Sequence, residues 1–137
     1  MRRTRLATLL LVVLATACGS SADGEPRTIT VGGERVTVAA LVDAHAGLCE
    51  AERSAATDPV AARAAFFDRS HDALHTVARA LQDVDRAQAG GLLEAKEKVE
   101  SGLDSRSPTL AADVARLADV YHDALGRLAI SAPPCEK

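Results

Sequence analysis

The sequence predicts an all-α protein, an antiparallel up-down four-helix bundle preceded by a short β-hairpin. Three observations lead there. Apolar residues recur at the helical period in four stretches separated by short breaks. The apolar content is mostly alanine, leucine and valine, with Phe66, Phe67 and Tyr121 the only aromatic residues, which suits closely approaching helices rather than a deep β-sandwich. One early stretch alternates instead, around a pair of glycines.

Residues 18–27 come first in the mature part. They are polar, carry Gly, Ser, Asp and Pro without periodicity, and read as a flexible tether. Thr28-Ile29-Thr30-Val31 alternates, Gly32-Gly33 supplies positive φ, and Glu34-Arg35-Val36-Thr37-Val38 alternates again, so residues 28–38 read as a hairpin with a two-residue turn. A lone hairpin is marginal in water and must pack on the helices. Residues 39–137 form the helical domain. Its first helix carries Leu41, Val42, Leu48 and Cys49 and ends near Thr57. Asp58-Pro59, an N-cap followed by proline at the first helical position, opens a second helix through Phe67, Leu74, Ala78 and Leu81. A third runs from Arg86 to about Gly102 with Leu92, Leu93 and Val99, and its Glu94–Lys98 pair belongs to a solvated face shared with Glu97 and Glu100. Ser107-Pro108 repeats the cap-plus-proline device before a fourth helix carrying Leu110, Val114, Leu117, Tyr121, Leu125 and Leu128. Pro133-Pro134 is expected to end it.

Residues 1–17 are of another kind. Met1-Arg2-Arg3-Thr4-Arg5 followed by the apolar run Leu6 to Ala17 has the charged and hydrophobic regions of a secretory signal peptide. The run would span roughly 18 Å as a helix against a hydrocarbon core of roughly 30 Å, too short for a transmembrane anchor. Leu14-Ala15-Thr16-Ala17-Cys18 followed by Gly19-Ser20-Ser21 resembles the lipobox of bacterial lipoprotein precursors. That family usually has leucine three residues before the cysteine, where this chain has Ala15 and carries Leu14 one place further back. The resemblance covers only the signal region and implies cleavage before Cys18, a lipid on its thiol and residence on the extracytoplasmic face of the cell membrane; Ala15-Thr16-Ala17 also reads as a small-residue site for ordinary signal peptidase, which cuts at the same bond and leaves simple secretion as the alternative. Arg5 stands where a twin-arginine signal wants an aromatic residue or leucine, which favours general secretion.

Lipidation also bears on the other two cysteines. An odd thiol is a liability in an oxidising compartment, and lipidation of Cys18 leaves Cys49 and Cys135 to pair. In an up-down bundle Cys49 lies roughly 16 Å along the first helix, and Ser131 to Cys135 covers about that distance when extended. The chain-entropy model assigns about 4–5 kcal/mol to so long a loop.

A formal net charge of −3 and the absence of a basic block outside the signal exclude nucleic acid as an expected partner. No Gly-x-Ser-x-Gly elbow, phosphate-binding glycine loop or Cys-x-x-Cys pair is present, so no enzyme is expected. The residues that remain of interest are histidines. On a helical wheel His71 falls inside the second helix's apolar stripe near Phe67, with His75 one turn on and Asp68 one turn before. His45 falls in the first helix's stripe with Glu52 two turns later. Histidines at i and i+4 chelate one ion from successive turns, and bundles build metal sites from inward-facing residues on opposing helices. His71, His75 and His45, with Asp68 and Glu52, are therefore the candidate ligands for zinc, copper or iron. The alternative is that His45 and His71 are neutral core residues, hydrogen-bonded to each other, to Glu52 or to Tyr121, with no cofactor. His122 falls off the fourth helix's stripe and is expected in solvent. The expected function is a membrane-anchored helical binding or accessory module serving an envelope protein partner; the alternative is a transition-metal-binding protein for sensing, delivery or sequestration.

Overall fold

The computed structural model describes residues 25–136. The expected signal peptide, Cys18 and most of the expected tether lie outside them. Strand β1 (Thr28–Val31) pairs antiparallel with β2 (Glu34–Thr37), Val31 opposite Glu34. The intervening Gly32 and Gly33 have φ of +58° and +85°, a turn of the primed type that matches the twist of the two strands. Val31 is buried, and the hairpin packs against the helices through contacts of β2 with the first helix and of β1 with the second.

The domain is mostly helical, with four helical rods after the hairpin. Helix α1 (Val38–Ala55) begins without a linker. Thr37 caps it, its Oγ1 accepting from the Ala40 N–H at 3.2 Å. The second rod is α2 (Pro59–Ala65), a π-helical turn (Phe66–Ser70) and α3 (His71–Leu81) in one run. Asp58 and Pro59 take the predicted roles, with Asp58 Oδ1 accepting from Ala61 N at 3.0 Å. Helix α4 (Arg86–Ser105) is capped by Asp85, which accepts from Gln88 N.

The last helix departs from expectation at both ends. Ser107-Pro108 stands ahead of its first turn: α5 (Leu110–Arg127) starts two residues later than expected, with Thr109 at the cap position, and Ser107 Oγ accepts from the Thr109 N–H at 3.2 Å. Ser107 is engaged in ending α4, where Arg106 turns left-handed (φ 53°) and the Ser107 N–H donates to the Gly102 carbonyl at 2.9 Å. Nor do the prolines end α5. It stops at Arg127 because Ala129 is left-handed (φ 56°), with Ala129 N–H donating to Gly126 and Ile130 N–H to Leu125, the paired bonds of a Schellman motif. Ile130 is buried beside Leu125, which completes the stop. Pro133-Pro134 belongs to the C-terminal tail.

Helix α1 packs on α2, the π turn and α5, while α4 packs on α3 and α5. Between them lie Leu41, Leu48, Phe66, Leu74, Leu92, Val99, Leu117, Tyr121 and Leu125. Alanines at Ala44, Ala51, Ala62, Ala78, Ala118 and Ala124 allow close approach. Among the described residues no helix is long and apolar enough to cross a membrane.

The π turn changes the inward face of the second rod. The His71 N–H reaches back five residues to the Phe66 carbonyl, which inserts one residue and resets the phase. Phe66, not Phe67, therefore fills the core, and Phe67 is half-buried with the Arg63 guanidinium over its ring at 4.8 Å. The inserted turn sits directly on α1. Ser70 is buried there and its hydroxyl donates to the Ala44 carbonyl at 2.8 Å. Arg69 forks across α1 to Asp43 and Glu50, each at 2.6 Å.

Gly47 makes this contact possible, since a Cβ on it would lie 2.6 Å from Ser70 Oγ and 2.8 Å from Arg69 Cβ. Alanine gains about 1 kcal/mol in helix propensity but overpacking costs about 1–3 kcal/mol. Gly47→Ala is expected to lower the urea unfolding midpoint, and a raised midpoint would refute the tight contact. Ala129→Gly should do the opposite: relief of the left-handed alanine is worth about 1 kcal/mol, read as a rise of roughly 4 °C in Tm. An unchanged melt would show that Ala129 carries no strain.

Candidate functional site

The histidines fall into two separate clusters. The first lies between α1, α5 and the tail. His45 is 2% exposed, and its Nδ1 lies 3.9 Å from Sγ of Cys49, one turn further along α1. Cys49 is disulfide-bonded to Cys135, with Cα atoms 5.2 Å apart, so the tail is tied to α1 across 86 positions of sequence. On the other side the His45 ring lies parallel to Tyr121 at 6.2 Å and tilted against His122 at 5.3 Å. Tyr121 is fully buried and its hydroxyl donates to the Leu41 carbonyl at 3.1 Å. Burial pushes its ionisation up and beyond reach.

His122 departs from its expected place in solvent. It is half-buried, and its Nε2–H donates to the Ala132 carbonyl at 3.1 Å, so the tail folds over it. A helical wheel places it off the stripe because a wheel takes no account of the tail, whose return along α5 creates a second covered face. A groove of 230 Å³ opens beside this cluster, lined by His45, Cys49, Arg53, Pro133, Cys135 and Glu136 among others.

The second cluster lies between α3 and α4. His71 is not a core residue: its side chain is 27% exposed, because the π turn carries it to the rim of the apolar face. Its Nε2 lies 3.0 Å from Glu100 Oε1 and its Nδ1 lies 3.1 Å from Asp72. Lys96 is buried and its Nζ pairs with Glu100 Oε2 at 2.8 Å. His75 is exposed, its ring 5.0 Å from that of His71. Partial burial, then Lys96 and His71, lower its affinity for a proton.

The candidate metal set is thus divided. His71 and His75 share one cluster, but His45 belongs to the other, against α5 instead of α3. His71 takes Asp72 and Glu100 as carboxylate partners, while Asp68 is exposed and Glu52 lies on α1 away from the pair. Lys96 holds the central cation position of the second cluster, which opposes a metal ion there. The alternative hydrogen bonds differ too: Tyr121 reaches the Leu41 backbone, and His45 meets Cys49. Among the described residues, one set of three ligand-type side chains converges, with His45, Cys49 and Cys135 offering atoms within 4.8 Å of one another. The spacing His45-Ala46-Gly47-Leu48-Cys49 carries this signal, since i and i+4 share a helix face.

The solvated face of α4 also differs from expectation. Lys98 reaches across to Asp113 on α5 at 2.8 Å instead of back to Glu94. Asp113 is nearly buried, and hydrogen bonds from Lys98 and then Thr109 hold it below the ordinary carboxylate value. This is an inter-helix clasp. No protein-family model, curated protein or solved structure matches the chain.

His45 sets a pH response. Burial first and His122 second hold it below its ordinary 6.5, with the Ala118 backbone and Asp119 opposing. The unfolded chain then binds the proton more readily than the native one, so stability is full above about pH 6.5 and declines as pH falls below it. Tm is expected to be lower at about pH 5 than at about pH 7.5, with a smaller difference in His45→Gln. Equal pH sensitivity in the two proteins would remove His45 as the source.

Proposed function

We propose that this chain is a membrane-anchored extracytoplasmic lipoprotein, a small helical binding or accessory module without catalytic activity, held at the membrane through Cys18. The observation that carries the reading is Leu14-Ala15-Thr16-Ala17-Cys18 behind a short charged and apolar leader, with a polar tether and one small helical domain after it. The partner is another envelope protein. An apolar groove of 540 Å³ at the root of the tether, edged by Pro26, Arg27, Val38, Ala39, Val42 and Ala46, supports a contact there.

The module is an antiparallel up-down bundle in this reading. Two ion pairs support it: Arg63 near the start of the second rod meets Asp104 near the end of α4, and Arg127 at the end of α5 meets Asp85 just before α4. Both join the beginning of one rod to the end of its neighbour, as antiparallel packing requires.

In a bacterium with the lipoprotein pathway, the chain is expected to incorporate labelled palmitate and to fractionate with membranes. Cys18→Ala should abolish both. Unlabelled wild-type protein would refute the anchor.

A further inference from the structure

We infer that opening the Cys49–Cys135 disulfide turns its two sulfurs, together with His45, into a binding site for one thiophilic divalent cation of the zinc class. This inference does not depend on the lipid anchor. It rests on the convergence of His45, Cys49 and Cys135 within 4.8 Å and on which of them are fixed. His45 and Cys49 stand on successive turns of α1, both buried, with Nδ1 and Sγ 3.9 Å apart. Zinc bonds of about 2.0–2.1 Å to nitrogen and about 2.3 Å to sulfur, at the tetrahedral angle, place such atoms roughly 3.6 Å apart. Two ligands are therefore already near their working separation.

The third ligand is the one that can move. Cys135 lies in the tail outside any helix, so its sulfur can retreat by about 2 Å, to the roughly 3.8 Å that two thiolates keep around zinc, without disturbing the core. The groove of 230 Å³ that these residues line gives the ion a way in and leaves the fourth position to water. The Tyr121 ring, parallel to the His45 ring at 6.2 Å, backs the imidazole on the side of α5. While the disulfide is closed the sulfurs are poor ligands, so the bond acts as a lock.

The chemistry balances with a dithiol as reductant. Its two thiols give two electrons and two protons to the Cys49–Cys135 bond, which breaks into two thiols, and the dithiol leaves as its own disulfide. Zinc then displaces both thiol protons to solvent.

The test uses the full chain in detergent with Cys18→Ala, so that no third thiol competes. Cobalt(II), a coloured stand-in for zinc, is titrated under argon into the oxidised protein and into protein reduced with dithiothreitol and freed of it. One cobalt per reduced chain is expected, with thiolate-to-cobalt charge-transfer absorption that zinc abolishes, and none in the oxidised chain. His45→Asn should weaken binding by more than the roughly 10–100-fold that losing an outer-shell partner costs. Zinc should raise the Tm of the reduced protein and leave that of the oxidised protein unchanged, a readout that needs no variant to fold. A reduced chain without the stoichiometric band, a Tm indifferent to zinc, or undiminished affinity in His45→Asn would overturn the inference.

Discussion

The seating of the π turn on α1 sets the orientation of the rest. Ser70 hydrogen-bonds the α1 backbone at Ala44, Arg69 grips Asp43 and Glu50 on either side, and Gly47 leaves room between them. An uninterrupted α-helix through this region would keep one phase from Pro59 to Leu81. The inserted residue instead lets Phe66 fill the core at one end while Leu74, Val77 and Leu81 fill it at the other. It also turns His71 away from α1 and toward Glu100 on α4. The π turn, closed by the His71 N–H on the Phe66 carbonyl, thus turns His71 toward α4.

The elements are legible in the sequence where local chemistry is strong. Gly32-Gly33 announces the hairpin, Asp58-Pro59 the start of the second rod, and the apolar period four helical stretches. Each signal is confined to a few neighbouring residues. The features that escape share the opposite property. A π turn has no composition of its own, so an ideal wheel continued through Phe66–Ser70 misplaces Phe67 and His71. Ser107 has the chemistry of a cap, and its hydroxyl does accept from the Thr109 N–H, but no neighbouring residue reveals that its own N–H also closes α4. The end of α5 at Ala129 is hidden because left-handed turns advertise themselves through glycine. Lys98 finds a longer-range partner in Asp113, which an i,i+4 rule does not contain.

The two histidine clusters differ in what surrounds them. His71 and His75 sit in a network already charged on both signs, with Lys96 and Glu100 at its centre, and its geometry is that of an inter-helix fastening. His45 sits among a sulfur pair, a tyrosine and a second imidazole. Burial there favours neutral nitrogen, the form that binds soft cations and parallel aromatic rings. The more reactive surroundings therefore lie under the tail, where the covering segment is coil and not helix.

The position of the covalent ring has a mechanical meaning. Arg27 is where the chain enters the fold ahead of the hairpin, its carbonyl accepting from Val38 and its guanidinium donating to the Ala129 carbonyl. Tension applied between the leading end and the residues after Cys135 enters at that point and first loads the hairpin and the opening turns of α1. Unravelling along the chain stops at Cys49, since every residue from there to Cys135 lies within a closed loop. A protein held by its leading end would then lengthen by a short, fixed amount and no further, releasing Leu41, Ala44 and Leu48 from the core while the part between Cys49 and Cys135 stays out of the path of force.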